Sequence, residues 1–172
     1  FQLGLNIDTN LFNDKECENG LHFCKLEDVP FWACFGSKLA FVSIPDDAKV
    51  VHFQDKSKAD RLVINDIINI KYWEMWDDEV FCLNAVKQNG LALEYVKNQT
   101  DSLCLEAVKQ DGLALQYVKN QTEDICMEAV KQNGFVVYYV KNPTEAVALK
   151  AVKQDGLALQ FVKEQTEVIC LE

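Results

Sequence analysis

Histidine, methionine and proline are all scarce in this chain: two histidines, two methionines and three prolines in 172 residues. With only His22 and His52 available, a histidine-dependent catalytic triad has few candidates. The chain has no HExxH zinc pair, no phosphate loop and no paired-glycine dinucleotide fingerprint. Positive charge is also in short supply, with 17 Lys and Arg against 27 Asp and Glu, a net charge of −10. That balance argues against a generic nucleic-acid binder, which must neutralise phosphates, and against docking on an anionic membrane. Acidity is spread over both halves, with 8 basic and 14 acidic residues up to Asp78 and 9 and 13 after it. No apolar run approaches the roughly 18 to 20 residues of a membrane span. No signal peptide is visible, although the chain opens at Phe1 without a methionine, which leaves room for an upstream segment.

What is present suits a globular protein: nearly half the residues are apolar and about a quarter are charged. Cys17, Cys24, Cys34, Cys82, Cys104, Cys126 and Cys170 make an odd total of seven. Four of them share one repeat position, which Ala148 occupies in the remaining repeat. A site that accepts Cys or Ala is a small buried apolar site, so the thiols are expected to be reduced and the protein intracellular. Cys17, His22, Cys24 and Cys34 are spaced too irregularly for a structural zinc site, and no metal or other cofactor is expected.

The second half is built on one stretch, Cys104 to Thr122, which recurs with a period of 22 residues. Glycines fall at Gly90, Gly112, Gly134 and Gly156, and threonines at Thr100, Thr122, Thr144 and Thr166. In the second copy, Thr100 is the candidate N-cap and Asp101 follows in the first turn, where a negative charge suits the helix dipole. Leu103, Cys104, Ala107 and Val108 then make an apolar face at helical spacing over 101–110. Gly112 is expected to end this helix in a left-handed conformation. A second helix is expected over 113–119, with Leu115 and Val118 on its core face. A continuous helix of eleven-residue units is the competing reading. It would place a glycine inside every unit, at about 1 kcal/mol each, and Pro143 inside the third, at about 3 kcal/mol. Short paired helices are therefore favoured, each stabilised by stacking on its neighbours. The Asn98-Gln99-Thr100 and Asn120-Gln121-Thr122 sequons are by-products of the repeat, and Pro143 abolishes the third copy.

Residues 1–76 carry no copy of the repeat. Strands are expected over 1–8, 21–26, 39–44, 48–53 and from Arg61, the last interrupted by a turn at Asn65-Asp66. A helix is expected from Glu27-Asp28-Val29-Pro30 to near Gly36, and 55–60 reads as a charged turn. The fold class is thus α+β: a small mixed module over 1–76, then an α-solenoid of short helix pairs over 77–172, comprising four repeats and the start of a fifth. Such a small module has a marginal core of its own. The last copy stops after about two turns, which suits either a longer array or an end that pairs with another molecule.

The candidate interaction residues are aromatic. Trp73 and Trp76 stand at the junction, either covering the first repeat or anchoring a partner. Tyr95, Tyr117, Tyr139 and Phe161 form a row at one repeat position, and two lysine rows run beside it (87, 109, 131, 153 and 97, 119, 141, 163). These rows either pack between neighbours and complement helix C-termini or present a repeated binding surface. The third repeat stands out, because Phe135-Val136-Val137-Tyr138-Tyr139 replaces Leu-Ala-Leu-Gln-Tyr and marks a local contact patch.

The repeat sequence Leu105-Glu106-Ala107-Val108-Lys109-Gln110-Asp111-Gly112-Leu113-Ala114-Leu115-Gln116-Tyr117-Val118-Lys119 resembles a family of short repeats of unknown function abundant in mimivirus-like giant DNA viruses. The resemblance covers about residues 79–172. Gly4 to Thr9, Asn19 to Cys24, Ile44 to Val50 and Lys58-Ala59-Asp60 resemble a module that precedes such arrays. The resemblance implies a viral protein of the host cytoplasm or the virion and supplies no activity. Gly20-Leu21-His22-Phe23-Cys24 and the elements after it also resemble the G-x-Y-F segment of ADP-ribosyltransferases, without the rest of that catalytic pattern, and so imply at most an inactive relative. The expected function is a non-enzymatic scaffold whose partner is another protein or a second copy, with no nucleic acid, membrane or small-molecule substrate. The alternative is a degenerate ADP-ribosyltransferase-like or small-ligand-binding N-terminal module.

Overall fold

The computed structural model describes residues 4–7, 21–25, 29, 38–54 and 56–171. It is mixed, with strands first and short helices after them, and divides into two compact units, Phe1–Trp73 and Glu74–Glu172.

The first unit holds two three-stranded antiparallel sheets among the described residues. In one, β6 (Arg61–Asn69) lies between β1 (Gly4–Ile7) and β3 (Lys38–Ser43). In the other, β5 (Ser57–Ala59) lies between β2 (Leu21–Phe23) and β4 (Val50–His52). Asp60 alone separates β5 from β6. Its carboxylate accepts from Lys49 N at 3.0 Å and its own N–H donates to Lys49 O at 3.1 Å, tying the crossover to the β4 side. Arg61 bridges back to the Asp47 carboxylate at 2.7 Å.

Two expectations fail here. β6 does not turn at Asn65-Asp66. Opposite it Phe41 pairs with Asp66 and Val42 with Ile64, so Asn65 is the extra residue of a β-bulge, and Ser43 Oγ reaches its side chain at 3.4 Å. A bulge absorbs two polar residues without ending the strand. The 55–60 stretch is not a solvated turn either, because residues 57–59 form the central strand of their sheet. Lys58 in that strand is fully buried and its ammonium lies 5.9 Å from the Phe53 ring centroid. The expected helix over 27–36 lies outside the described residues except for Val29, which is helical and buried.

The second unit alternates two kinds of helix. The α-helices are α1 (Glu79–Gln88), α2 (Asp101–Gln110), α3 (Glu123–Gln132), α4 (Glu145–Gln154) and the short α5 (Glu167–Cys170). The first four are each followed by a six-residue 3-10 helix: Gly90–Tyr95, Gly112–Tyr117, Gly134–Tyr139 and Gly156–Phe161. Thr100, Thr122 and Thr144 cap α2, α3 and α4 by accepting from the N–H three residues on, at 3.3, 3.4 and 3.3 Å. Asp78 does the same for α1 at 2.7 Å.

The second helix of each pair is therefore 3-10 rather than α, and it ends at Tyr117 rather than near Lys119. Asp111 sets it up. Its side chain accepts from Leu113 N at 2.9 Å, and its carbonyl accepts from Ala114 N at 2.9 Å, closing a three-residue turn. With three residues per turn, Leu115 and Val118 fall on the same side, and both are buried. Gly112 is not a left-handed stop, since its φ is negative or extended. It opens the 3-10 helix and lies against the next α-helix, where an added Cβ would sit 3.0 Å from Ala129 O.

Neighbouring repeats are clasped by glutamine side chains that bond to backbone. Gln121 Nε2 donates to Leu115 O at 3.2 Å and Tyr139 O at 2.9 Å, while its Oε1 accepts from Lys141 N at 2.8 Å. Gln99 repeats the pattern with Leu93 O, Tyr117 O and Lys119 N. A second clasp comes from Gln132, whose Oε1 accepts from Gly112 N at 3.1 Å and whose Nε2 donates to Val108 O at 2.9 Å. Between the clasps lies a core of Cys104, Ala107, Val108, Ala114, Leu115 and Val118, all buried, as are their repeat equivalents except Leu159, which is half-buried, and Cys170, which is exposed.

Residues 74–77 close the first repeat with a 3-10 turn. Trp76 stacks on Tyr95 at 5.2 Å and meets Phe81 edge-on at 5.2 Å. Asp77 accepts from Lys97 Nζ at 2.7 Å, where Lys119 Nζ instead donates to Lys97 O at 2.6 Å, so a carboxylate stands in for the carbonyl of a preceding repeat.

Candidate functional site

Among the described residues, four of the seven exposed large apolar residues of the second unit, Leu113, Phe135, Tyr138 and Leu157, lie on its 3-10 helices, while Val80, Val168 and Leu171 lie elsewhere. The residue after three of the four glycines is exposed, Leu113 at 40%, Phe135 at 36% and Leu157 at 68%, whereas Leu91 after Gly90 is half-buried. Tyr138, where the other repeats have Glu or Gln, is 65% exposed. Tyr138 meets Tyr139 at 5.2 Å and Phe161 at 5.4 Å, and Phe135 meets Phe161 at 6.0 Å, all edge to face. Together with Leu113 these rings line a shallow depression of about 340 Å³ spanning the second, third and fourth repeats. A shallow apolar shelf with rigid aromatic rings suits a protein side chain better than an enclosed small molecule.

The sequence candidates divide. Tyr138, Tyr139 and Phe161 meet on this shelf. Tyr95 and Tyr117 are half-buried, and Tyr95 is engaged by Trp76. The Tyr117 hydroxyl is hydrogen-bonded to Glu94 of the preceding repeat; burial first, then that carboxylate, push its pKa above the usual 10.0. Trp76 is 1% exposed and Trp73 6%, with Trp73 meeting Phe41 edge-on at 6.3 Å. Of the two readings of these tryptophans, packing cover or partner anchor, their burial is at odds with the anchor: both indoles are packing residues. Leu113 was missed as a shelf residue. The signal was available, because the position after each glycine is apolar yet out of phase with the buried 114, 115 and 118 positions.

The lysine rows are mainly structural. Lys119 and Lys141 donate to Lys97 O and Lys119 O, two residues past the end of the preceding 3-10 helix. Lys109 and Lys131 pair with Glu106 and Glu128 on their own helices, at 3.0 and 2.9 Å, on the exposed side. The free thiols of Cys82, Cys104 and Cys126 are buried. Burial, reinforced by Asp78 and Asp77, raises the Cys82 pKa to about 11, and burial with Asp101 does the same for Cys104. Such thiols do not act as nucleophiles near neutral pH.

In the first unit, His22, Cys24, Val29, Phe41, Leu62 and Ile64 line a hollow of about 350 Å³. His22 stands opposite Lys58 in the β2–β5 register. Among the described residues no group of three or more His, Cys, Asp or Glu is placed to hold a metal ion, though Cys17 and Cys34 lie outside them. No helix among them is long and apolar enough to cross a membrane.

Residues 102–142 match a family model described as a domain of unknown function (DUF4116). No curated protein and no solved structure matches the chain.

Proposed function

We propose that this protein is a non-enzymatic interaction scaffold. In this reading residues 77–172 are an α-solenoid of short helix pairs, and the shelf around Tyr138 and Phe161 takes an apolar side chain of a protein partner or of a second copy. The observation that carries it is the third repeat, which places Phe135 and Tyr138 on the exposed side while keeping Val136 and Val137 buried. Bulk added only where it meets solvent does nothing for the core. The buried, protonated thiols fit a reducing setting, the host cytoplasm or a virion, as the viral resemblance implies. The test is a Phe135→Leu, Tyr138→Gln double variant, which restores the residues of the second and fourth repeats. Light scattering and pull-downs on both proteins should show partner or self-binding lost while the circular dichroism spectrum stays the same. A wild-type protein that is strictly monomeric and captures no partner sinks the reading.

A second reading rests on the hollow beside His22. The first unit would then bind a small ligand there, a nicotinamide dinucleotide if it is a degenerate relative of ADP-ribosyltransferases. Titration with a nicotinamide dinucleotide, followed by calorimetry, tests it. Absence of heat and of any shift at His22 removes it.

A further inference from the structure

The junction between the third and fourth repeats lacks its clasp. The bridging glutamine of the earlier junctions, Gln99 and Gln121, is replaced by Pro143. The cysteine beside it is replaced too. Cys104 Sγ reaches Gln99 Oε1 at 3.7 Å, and the equivalent of Cys104 at this junction is Ala148. Both side chains that fill this space elsewhere are therefore cut back together. The result is a groove of about 240 Å³ lined by Pro143, Ala148, Val162, Lys163, Lys141 and Glu145. At the previous junction Lys141 donates its N–H to Gln121 Oε1 and its ammonium to Lys119 O. Among the described residues Lys163 makes neither bond. Gln154 likewise does not repeat the contacts of Gln132.

We propose that this groove is a binding site for a primary carboxamide, specifically a glutamine side chain presented by a partner chain. The earlier junctions define what it must offer. One amide oxygen accepts the N–H of the lysine that follows the aromatic row, and one amide nitrogen donates to the two carbonyls around it. At the open junction the same positions are Lys163 N, Val137 O and Phe161 O. A carboxylate could accept from Lys163 but could not donate to carbonyls, which disfavours it. The charged side chains lining the groove, Lys141 and Lys163 against Glu145 and Glu164, balance in sign and favour a neutral group. The missing cysteine leaves room for the methylenes that carry the amide. This site is independent of the aromatic shelf, and neither stands or falls with the other.

The experiment is an amide-resolved NMR titration of the whole chain with acetyl-Gly-Gln-Gly-N-methylamide, whose only primary carboxamide is the glutamine side chain, with the glutamate and leucine N-methylamide peptides as controls. The expected result is a saturable shift of the Lys163 N–H with the glutamine peptide, at least tenfold weaker with either control. A Pro143→Gln, Ala148→Cys double variant rebuilds the internal clasp and should abolish the shift. Ala148→Leu, which fills the groove without an amide, should abolish it as well and covers the case in which the double variant fails to fold. A shift that never saturates, as for a groove holding only water, overturns the proposal. So does an equal response to the glutamate peptide, or a response that survives in a folded groove-filling variant.

Discussion

A Cβ added to Gly134 would sit 2.5 Å from the carbonyl oxygen of Ala151, in the α-helix of the next repeat. That is too close for any real Cβ, so the glycine is where one repeat's 3-10 helix rests on the backbone of the next. Gly90 stands in the same relation to Ala107 O, whereas Gly156 meets nothing within 4 Å. Gly134→Ala and Gly90→Ala are expected to destabilise by about 1–3 kcal/mol through overpacking. Gly156→Ala is expected to be neutral, or to stabilise by about 0.4–1 kcal/mol through the unfolded chain. Thermal denaturation of the three variants separates this steric account from one based on left-handed glycines, in which all three would lose stability.

The glutamine clasp has a measurable value. Gln121→Ala removes three hydrogen bonds and leaves the N–H of Lys141 without its acceptor. The expected cost is about 1–3 kcal/mol. Lys131→Ala removes only an exposed pair with Glu128 and is expected to cost under about 0.5 kcal/mol. Urea unfolding curves for the two variants should differ in midpoint with equal slopes.

Trp76 stands in for a missing neighbour. Its ring is 1% exposed, stacked on Tyr95 and against Phe81. Trp76→Ala is expected to cost about 3–5 kcal/mol, with hydrogen exchange rising first in α1 and the 90–95 segment. Uniform loss of protection across all repeats would contradict an end-closing role.

Thiol chemistry should follow burial. At pH 8 Cys170, which is exposed, is expected to react with a disulfide reagent far faster than Cys82, Cys104 or Cys126, as read by peptide mapping. The pH dependence has a definite sign. Cys82 and Cys104 titrate at about 11 in the fold against 9.0 when unshifted, so the fold favours their protonated forms. Their contribution is complete below pH 9 and is lost as pH rises through about 11. Tyr117, shifted upward from 10.0, acts in the same direction. Stability measured from pH 8 to 11 should therefore fall, and Cys104→Ala should flatten the decline.

Some of this architecture was legible before any coordinates. The span of α2 follows from the cap at Thr100 and the three-to-four spacing of Leu103, Cys104, Ala107 and Val108, all local signals. The 3-10 geometry of Gly112–Tyr117 was not, because six residues of Gly-Leu-Ala-Leu-Gln-Tyr suit either helix, and the choice is made by the Asp111 turn. The strand at Ser57–Ala59 was hidden for a different reason. Lys-Ser-Lys reads as solvated until pairing with both β2 and β4 buries it, and that pairing is long-range. On the shelf, the bulk of the third repeat was visible in the sequence. Its grouping with Leu113 and Phe161 needed the 3-10 period, which turns the residue after Gly112, Gly134 and Gly156 outward.

The central claim is that the Phe135–Tyr138 shelf is a contact surface. The most direct measurement is site-specific photo-crosslinking, with a benzophenone amino acid placed at position 138 or at position 94 of the first repeat, in the cells that naturally produce the protein. The account expects discrete adducts from position 138, to another protein or to a second copy, that disappear with Phe135→Leu and are absent from position 94. Equal crosslinking from both positions, or none from position 138, would contradict it.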